Sequence, residues 1–133
     1  MTTTPIVIAE DDPDIADVLV AALGADGSMS PIAVSNGALV IDAVMHNDAR
    51  LLVLDVQMPG ASGIDVYDIV RDHPAFRDIP VLFVTANPEL ARDTLPGVAP
   101  RDVIAKPFDL DDLVARAHSL LARSLATSAG RRR

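Results

Sequence analysis

Residues 51–55 read LLVLD, four consecutive apolar residues that end in an aspartate. An apolar run this short, without alternating polar residues, is typical of a strand buried on both faces, as in a parallel sheet. The loop that follows holds Pro59, Gly60 and Gly63, residues that favour a turn before the next helix. The stretch therefore predicts a central parallel strand with an acid at its carboxyl end.

Short apolar runs alternate with longer amphipathic stretches along the rest of the chain. Strands are predicted near 5–9, 31–34, 50–55, 79–85 and 102–105, and helices near 13–24, from Asn36-Gly37 to 47, 64–72, 88–95 and 109–124. This alternation favours parallel βα units with right-handed crossovers. We expect one α/β domain, a doubly wound, flavodoxin-like (βα)5 fold with a parallel five-stranded sheet of order 2-1-3-4-5. The domain should cover residues 1–124, and a disordered polar and basic tail should cover 125–133.

The composition excludes several classes of function. The formal net charge of −8 argues against a surface that binds nucleic acid. There is no cysteine, so thiol chemistry and thiolate metal sites are excluded. No apolar run reaches the ~18 residues that span a membrane, and the first residues lack the features of a signal peptide. We expect a cytoplasmic protein that binds neither nucleic acid nor membrane.

Polar side chains stand at the carboxyl ends of four predicted strands. Glu10 and Asp11 follow the first strand, Asp55 ends the third, Thr85 ends the fourth, and Lys106 follows the fifth. Lys106 is also the only lysine of the chain, since the other ten basic residues are arginine. In a sheet of this order, ligands bind outside the carboxyl ends of the strands. Each residue alone also fits a helix cap, a turn or a surface charge, but together they predict one site.

These residue types suit phosphoryl chemistry. Three crowded carboxylates repel one another, and a divalent cation would remove that conflict. Oxygen-only ligands favour Mg²⁺ or Mn²⁺. One carboxylate can then attack phosphorus, while the cation, an ammonium and a hydroxyl neutralise the charge of the transferred group. The cluster therefore predicts a site that accepts a phosphoryl group.

Four segments resemble the receiver domain of response regulators, the module that accepts phosphate from a sensor histidine kinase. They are residues 6–13 (IVIAEDDP), 52–60 (LVLDVQMPG) with Gly63, 84–86 (VTA) and 106–108 (KPF). Together they extend the resemblance over about residues 5–124. It implies a signalling module of a two-component system or phosphorelay, which catalyses only its own phosphorylation and dephosphorylation and is otherwise not an enzyme.

The resemblance also implies the roles of the acidic residues. Asp55 would be the phosphoacceptor. Asp11 would ligate Mg²⁺ (or Mn²⁺) directly, Asp55 would belong to the same ligand set, and Glu10 would act mainly through water. Gln57 would contribute its backbone carbonyl, so its side chain would not be a ligand.

The remaining roles follow from the same resemblance. Thr85 would bond a phosphoryl oxygen, Lys106 would pair with the phosphate, and the bond before Pro107 would be cis. Asp12 would lie outside the site and cap the first helix. The donor would be a sensor histidine kinase or a histidine phosphotransfer protein. The output would pass to an unidentified protein target. The resemblance also allows a homodimer that forms through the face of helix 4, strand 5 and helix 5.

Two departures from the family leave an alternative open. Val103 stands where the family places an aromatic residue, and Pro96 shortens the helix after Thr85. The alternative is a degenerate receiver, an interaction module that works without phosphate. A phosphatase of the haloacid dehalogenase type is a poorer match, because it needs a second acid where this chain has Gln57.

Overall fold

The computed structural model describes residues 3–94 and 97–131. The strands are β1 (Thr4–Ala9), β2 (Met29–Val34), β3 (Leu52–Asp55), β4 (Val81–Thr85) and β5 (Val103–Ala105). The helices are α1 (Pro13–Gly24), α2 (Val40–Asn47), α3 (Gly63–Asp72), α4 (Pro88–Thr94) and α5 (Leu110–Arg131). Two single 3-10 turns, Gly37–Leu39 and Pro100–Asp102, precede α2 and β5.

The five strands form one parallel sheet of order β2-β1-β3-β4-β5. The predicted α/β, doubly wound, flavodoxin-like fold is therefore confirmed. Since β1 and β3 are neighbours although β2 lies between them in sequence, the chain reverses its direction of travel across the sheet there. In such sheets this is the point at which a crevice forms at the carboxyl ends of the strands.

Two apolar clusters, one on each face of the sheet, make up the core. Leu52 and Leu54 of β3 belong to the cluster that α2, α3 and α4 cover, whereas Leu51 and Val53 belong to the one that α1 and α5 cover. Successive side chains of a strand point to opposite faces, so a strand between two helical layers must be apolar at every position. This requirement explains the unbroken LLVL run.

The edges of the fold differ from the sequence-based expectation. β2 begins at Met29 rather than near 31, because its parallel pairing with β1 extends back to Thr4. It lies at the edge of the sheet and is mostly half-exposed, so its sequence lacks the signature of a buried strand.

The last helix is longer than expected. α5 continues to Arg131, into the segment for which a disordered tail was predicted. The segment LATSA at 125–129 contains no proline and is rich in residues of good or moderate helix propensity, so nothing local ends the helix there. Up to Ser124, where the described exposures of α5 end, Leu120 is its last buried residue. The domain boundary at residue 124 stays a prediction, and residues 132–133 lie outside the described part of the chain.

α4 has seven residues, Pro88–Thr94, and begins three residues after β4 ends. The expected stop at Pro96 lies outside the described residues. Within the described ranges, no helix is both long enough and apolar enough to cross a membrane.

Candidate functional site

The backbone brings four strand ends to one edge of the sheet. The Glu10 N–H donates to the Val34 carbonyl at 3.0 Å, and the Lys106 N–H donates to the Thr85 carbonyl at 2.8 Å. These bonds continue the ladders of the sheet by one residue beyond the strands. The side chains that follow β1 and β5 are thereby held beside those that end β3 and β4.

Lys106 joins two of these strand ends. Its Nζ lies 2.7 Å from Oε1 of Glu10 and 2.9 Å from Oδ2 of Asp55. The three residues are far apart in sequence, so only the sheet order brings them together. The lysine side chain is about one-fifth exposed, whereas both carboxylates are almost fully buried.

The site also holds buried polar residues. Among the residues whose exposure the structure describes, the polar or charged ones that are buried are Glu10, Asp55 and Thr85. Burying such groups is costly unless they are paired or hydrogen-bonded. Their concentration at one edge of an otherwise apolar sheet indicates a functional rather than a packing requirement.

Glu10, Asp11 and Asp55 form a cluster that could hold a metal ion. One carboxylate oxygen from each lies within 4.8 Å of the others. Asp11 is exposed, so the cluster opens to solvent on that side. The donors are all carboxylate oxygens, which is the chemistry that Mg²⁺ and Mn²⁺ prefer. The residues present therefore fit the predicted ion.

The pKa of Glu10 reflects the burial and crowding of carboxylates at this site. Burial, together with its contact with Asp55, raises the pKa of Glu10 from 4.5 to about 7, although Lys106 acts in the opposite direction. Burial by itself would lower the pKa of Lys106, but its bonds to Glu10 and Asp55 outweigh that effect and raise it. A single ammonium thus offsets only part of the negative charge that the site gathers.

The raised pKa of Glu10 predicts a pH-dependent stability. The folded protein holds the Glu10 proton more tightly than the unfolded chain does, so this contribution is fully present below pH 4.5 and is lost as pH rises to about 7. We expect the free energy of unfolding of the metal-free protein to fall by roughly 2 kcal/mol over this range, relative to Glu10→Gln. Urea unfolding at several pH values in EDTA measures this difference. A constant difference between the two proteins would contradict the prediction.

The loop after β3, residues 56–62, wraps around Asp55. Oδ1 of Asp55 accepts a hydrogen bond of 3.0 Å from the Gln57 N–H, and the Gly63 N–H donates to the Val56 carbonyl at 2.9 Å. Gly63 leaves no room for a side chain, since a Cβ there would lie 2.4 Å from the Asp55 carbonyl oxygen. The Gln57 side chain is exposed. The use of its backbone carbonyl as a ligand stays a prediction.

Thr85 takes no part in the ion pairs of Lys106 but lies beside them. Its residue is 1% exposed, and its hydroxyl oxygen accepts a hydrogen bond of 3.0 Å from the Asn87 N–H. Its main-chain carbonyl bonds the Lys106 N–H, as described above. Thr85 therefore belongs to the same edge of the sheet, next to the backbone that carries the lysine.

Two subsidiary predictions are confirmed. Oδ1 of Asp12 accepts hydrogen bonds from the N–H groups of Asp14 and Ile15, at 2.9 and 3.4 Å, so Asp12 caps α1. The peptide bond between Lys106 and Pro107 is cis.

Val103 of β5 lies at the face where output was expected. This residue is buried in the cluster under α2, α3 and α4, opposite Phe83 of β4 in the sheet register. Nη1 of Arg116 on α5 donates to the carbonyl of Val103 at 3.2 Å and to that of Arg101 at 3.1 Å. Sequence reasoning missed this arginine, since nothing in the spacing of α5 singles it out.

Comparison with known proteins identifies the family. A sequence model of the response regulator receiver domain matches residues 6–118, most of the chain. The chain belongs to the response-regulator receiver family. Receiver domains are signalling modules of two-component systems rather than enzymes, and they interact with histidine kinases.

Curated relatives agree with this assignment. The receiver domain is 34% identical over 123 residues to the transcriptional regulatory protein BaeR of Escherichia coli, covering 91% of this chain and 49% of BaeR. It is 35% identical over 121 residues to the response regulator protein PmrA of Pseudomonas aeruginosa, covering 90% of this chain and 53% of PmrA. This chain thus spans about half the length of these relatives.

Solved structures share the fold. A sensor protein from Polaromonas sp. JS666 superposes with a TM-score of 0.80 at 26% identity, over 92% of this receiver domain and 99% of that chain. A putative response regulator from Chloroflexus aurantiacus gives 0.79 at 25% identity, over 91% and 99%. In each case nearly the whole of the known chain is a domain of this kind.

Proposed function

We propose that this receiver domain accepts a phosphoryl group on Asp55 from the phosphohistidine of a sensor histidine kinase or of a histidine phosphotransfer protein. The proposal rests above all on one observation, the 2.9 Å pairing of the Lys106 ammonium with the buried Asp55 carboxylate. A nucleophile of this kind needs a cation beside it, because the transferred group carries several negative charges.

The transfer is a displacement at phosphorus. An oxygen of Asp55 forms the new P–O bond while the P–N bond of the donor breaks, and the histidine nitrogen leaves with the electron pair and takes up a proton. Mg²⁺ or Mn²⁺, held by Asp11, Asp55 and the Gln57 carbonyl, and by Glu10 mainly through water, would supply positive charge to the phosphoryl oxygens. The carboxylate cluster supports this cofactor, since its oxygens lie within 4.8 Å of one another.

Lys106 and Thr85 would hold the product. The ammonium lies between Glu10 and Asp55 before transfer, so it reaches a phosphoryl oxygen on Asp55 by a small movement of a flexible side chain. The Thr85 hydroxyl already accepts a hydrogen bond, which leaves its proton to donate to the same group. The energy of these new contacts would favour one of two conformations and so change the affinity for a partner.

The partners of the output stay proposals. We place the target, or a second copy of the chain, at the face of α4, β5 and α5. The domain itself is not expected to bind nucleic acid, because its formal net charge is −8. The relative MtrA of Mycolicibacterium smegmatis is named a DNA-binding response regulator, but this chain matches only 51% of it. A cytoplasmic location also stays a prediction.

Treatment with Mg²⁺ and acetyl phosphate tests the proposed function. We expect the intact mass of the protein to rise by one phosphoryl group, and we expect excess EDTA to prevent the rise. The phosphate-independent module, suggested by the buried Val103 in place of an aromatic residue, predicts no mass gain under either condition. An unchanged mass with Mg²⁺ present would therefore favour that alternative.

A further inference from the structure

Two loops meet beside the acidic site with almost no space between them. One is the turn after β2, Asn36 with Gly37–Leu39, and the other is the loop 56–62 that follows Asp55. The Gly37 N–H donates to the Pro59 carbonyl at 3.1 Å. The turn after β2 thus bonds directly to the loop that wraps the proposed phosphoacceptor.

The backbone contact tolerates no side chain at Gly37. A Cβ there would lie 1.8 Å from the carbonyl oxygen of Ala61 and 2.7 Å from its carbonyl carbon. Real atoms never approach so closely, so any larger residue would push the two backbones apart. The glycine is therefore required by the contact and not by the turn.

A second glycine, Gly60, contributes to the same contact from the loop 56–62. Gly60 has a φ of +84°, and a Cβ there would lie 1.9 Å from Oδ1 of Asn36. The same Oδ1 accepts a hydrogen bond of 2.8 Å from the Ala38 N–H, which fixes the side chain of Asn36. The loop therefore contacts a side chain that could move aside only by breaking this bond.

This contact completes the anchoring of the loop. At its start the Gln57 N–H bonds Asp55, at its end the Gly63 N–H bonds Val56, and between them Pro59 bonds Gly37. Without the middle anchor, residues 57–61 would keep these hydrogen bonds only at their two ends, beside the packing of Met58 and Ala61 against the core. The loop carries both the N–H that orients Asp55 and the carbonyl proposed as a metal ligand.

We infer that Asn36, Gly37 and Gly60 are positioning residues, which set the affinity for the divalent cation by holding the loop 56–62 against the turn after β2. The inference rests on the proposed function for the identity of the cation. None of the three residues belongs to the ligand set. They act through Gln57 and Asp55, as groups behind a ligand commonly do.

Substitution of Gly60 by alanine, alone and with Asn36→Ala, tests the inference. Gly60→Ala introduces both a positive-φ strain and the collision with Asn36. Gly27→Ala is the matched control, because Gly27 has a φ of +78° but no atom lies within 4 Å of the position that a Cβ would take there. The double variant removes the atom that the new Cβ would strike.

Two measurements are made on each folded variant. Calorimetric titration with MgCl₂ gives the dissociation constant, and amide hydrogen exchange in EDTA gives the protection of the Gln57 N–H. We expect Gly60→Ala to weaken Mg²⁺ binding by about tenfold or more and to lose the Gln57 protection. Gly27→Ala should match the wild type in both, and the double variant should recover part of each loss.

The outcomes separate the two proposals. Wild-type affinity and Gln57 protection in folded Gly60→Ala would overturn the inference. If Gly60→Ala does not fold, the variant Asn36→Ala tests the inference by itself. It removes the side chain that Gly60 contacts without adding an atom, so it should weaken both Mg²⁺ binding and the protection of the Gln57 N–H. If the wild type binds no Mg²⁺, the metal part of the proposed function fails, and the hydrogen exchange in EDTA still tests the anchoring.

Discussion

Asp55→Asn is expected to abolish phosphoryl incorporation from acetyl phosphate in the presence of Mg²⁺. An amide oxygen is a poor nucleophile, and the substitution also removes one of the three carboxylates of the metal cluster. Intact mass measured over time reports the loss directly. The fold should survive, because the amide keeps the size of the side chain and can still accept a hydrogen bond from the Gln57 N–H.

Asp12→Asn provides the matched control. It makes the same chemical change one residue from the cluster, in a side chain that caps α1 and is exposed. We expect it to incorporate phosphate like the wild type, because asparagine also caps helices well. A full mass gain in Asp55→Asn would place the acceptor elsewhere and contradict the proposed role of Asp55.

Lys106→Met is expected to impair both stability and phosphorylation. It leaves the buried carboxylates of Glu10 and Asp55 without their ammonium partner, and breaking a buried pair in this way costs about 3 kcal/mol. We take the lower end of the usual range because the lysine is partly exposed. The rate of phosphoryl incorporation should fall about a hundredfold, the loss typical of removing one charge-stabilising donor.

Lys106→Arg separates the two effects. The guanidinium keeps the positive charge, so most of the stability should return, measured as the free energy of unfolding in urea. Its planar fork cannot replace a compact ammonium between two carboxylates, so incorporation should stay slower than in the wild type. Unchanged stability in Lys106→Met at pH 7 would mean that Glu10 and Asp55 do not depend on the lysine.

The fold was predictable because the core residues of each strand lie in one short apolar run of the sequence. The run at 51–54 is apolar at every position, and such a strand must have helices on both faces, which leaves few arrangements for five alternating strands and helices. The end of α5 differed most from the prediction, and β2, β3 and β4 each begin two residues away from their predicted start. An edge strand has no buried signature, and no residue in the segment after 124 stops a helix.

The residues of the site were predictable for a related reason. Parallel strands present their carboxyl ends at one edge, so polar residues that end several apolar runs can be expected to meet. The structure brings Glu10, Asp11, Asp55 and Lys106 together, and places Thr85 next to them. Their chemical roles follow from the family and from physical argument, and the experiments above test them.

The sequence by itself determined the class of fold and the set of polar side chains at the strand ends, since these depend on patterns within single segments. The order of the strands was predictable because few arrangements are open to five alternating strands and helices. Only the tertiary structure decided that one ammonium lies between Glu10 and Asp55, that burial raises the pKa of Glu10, and that Asn36 and Gly37 anchor the loop after Asp55. These features are distances and burial between segments remote in sequence. No pattern within a single segment predicts them, because they arise only when the strands assemble into the sheet.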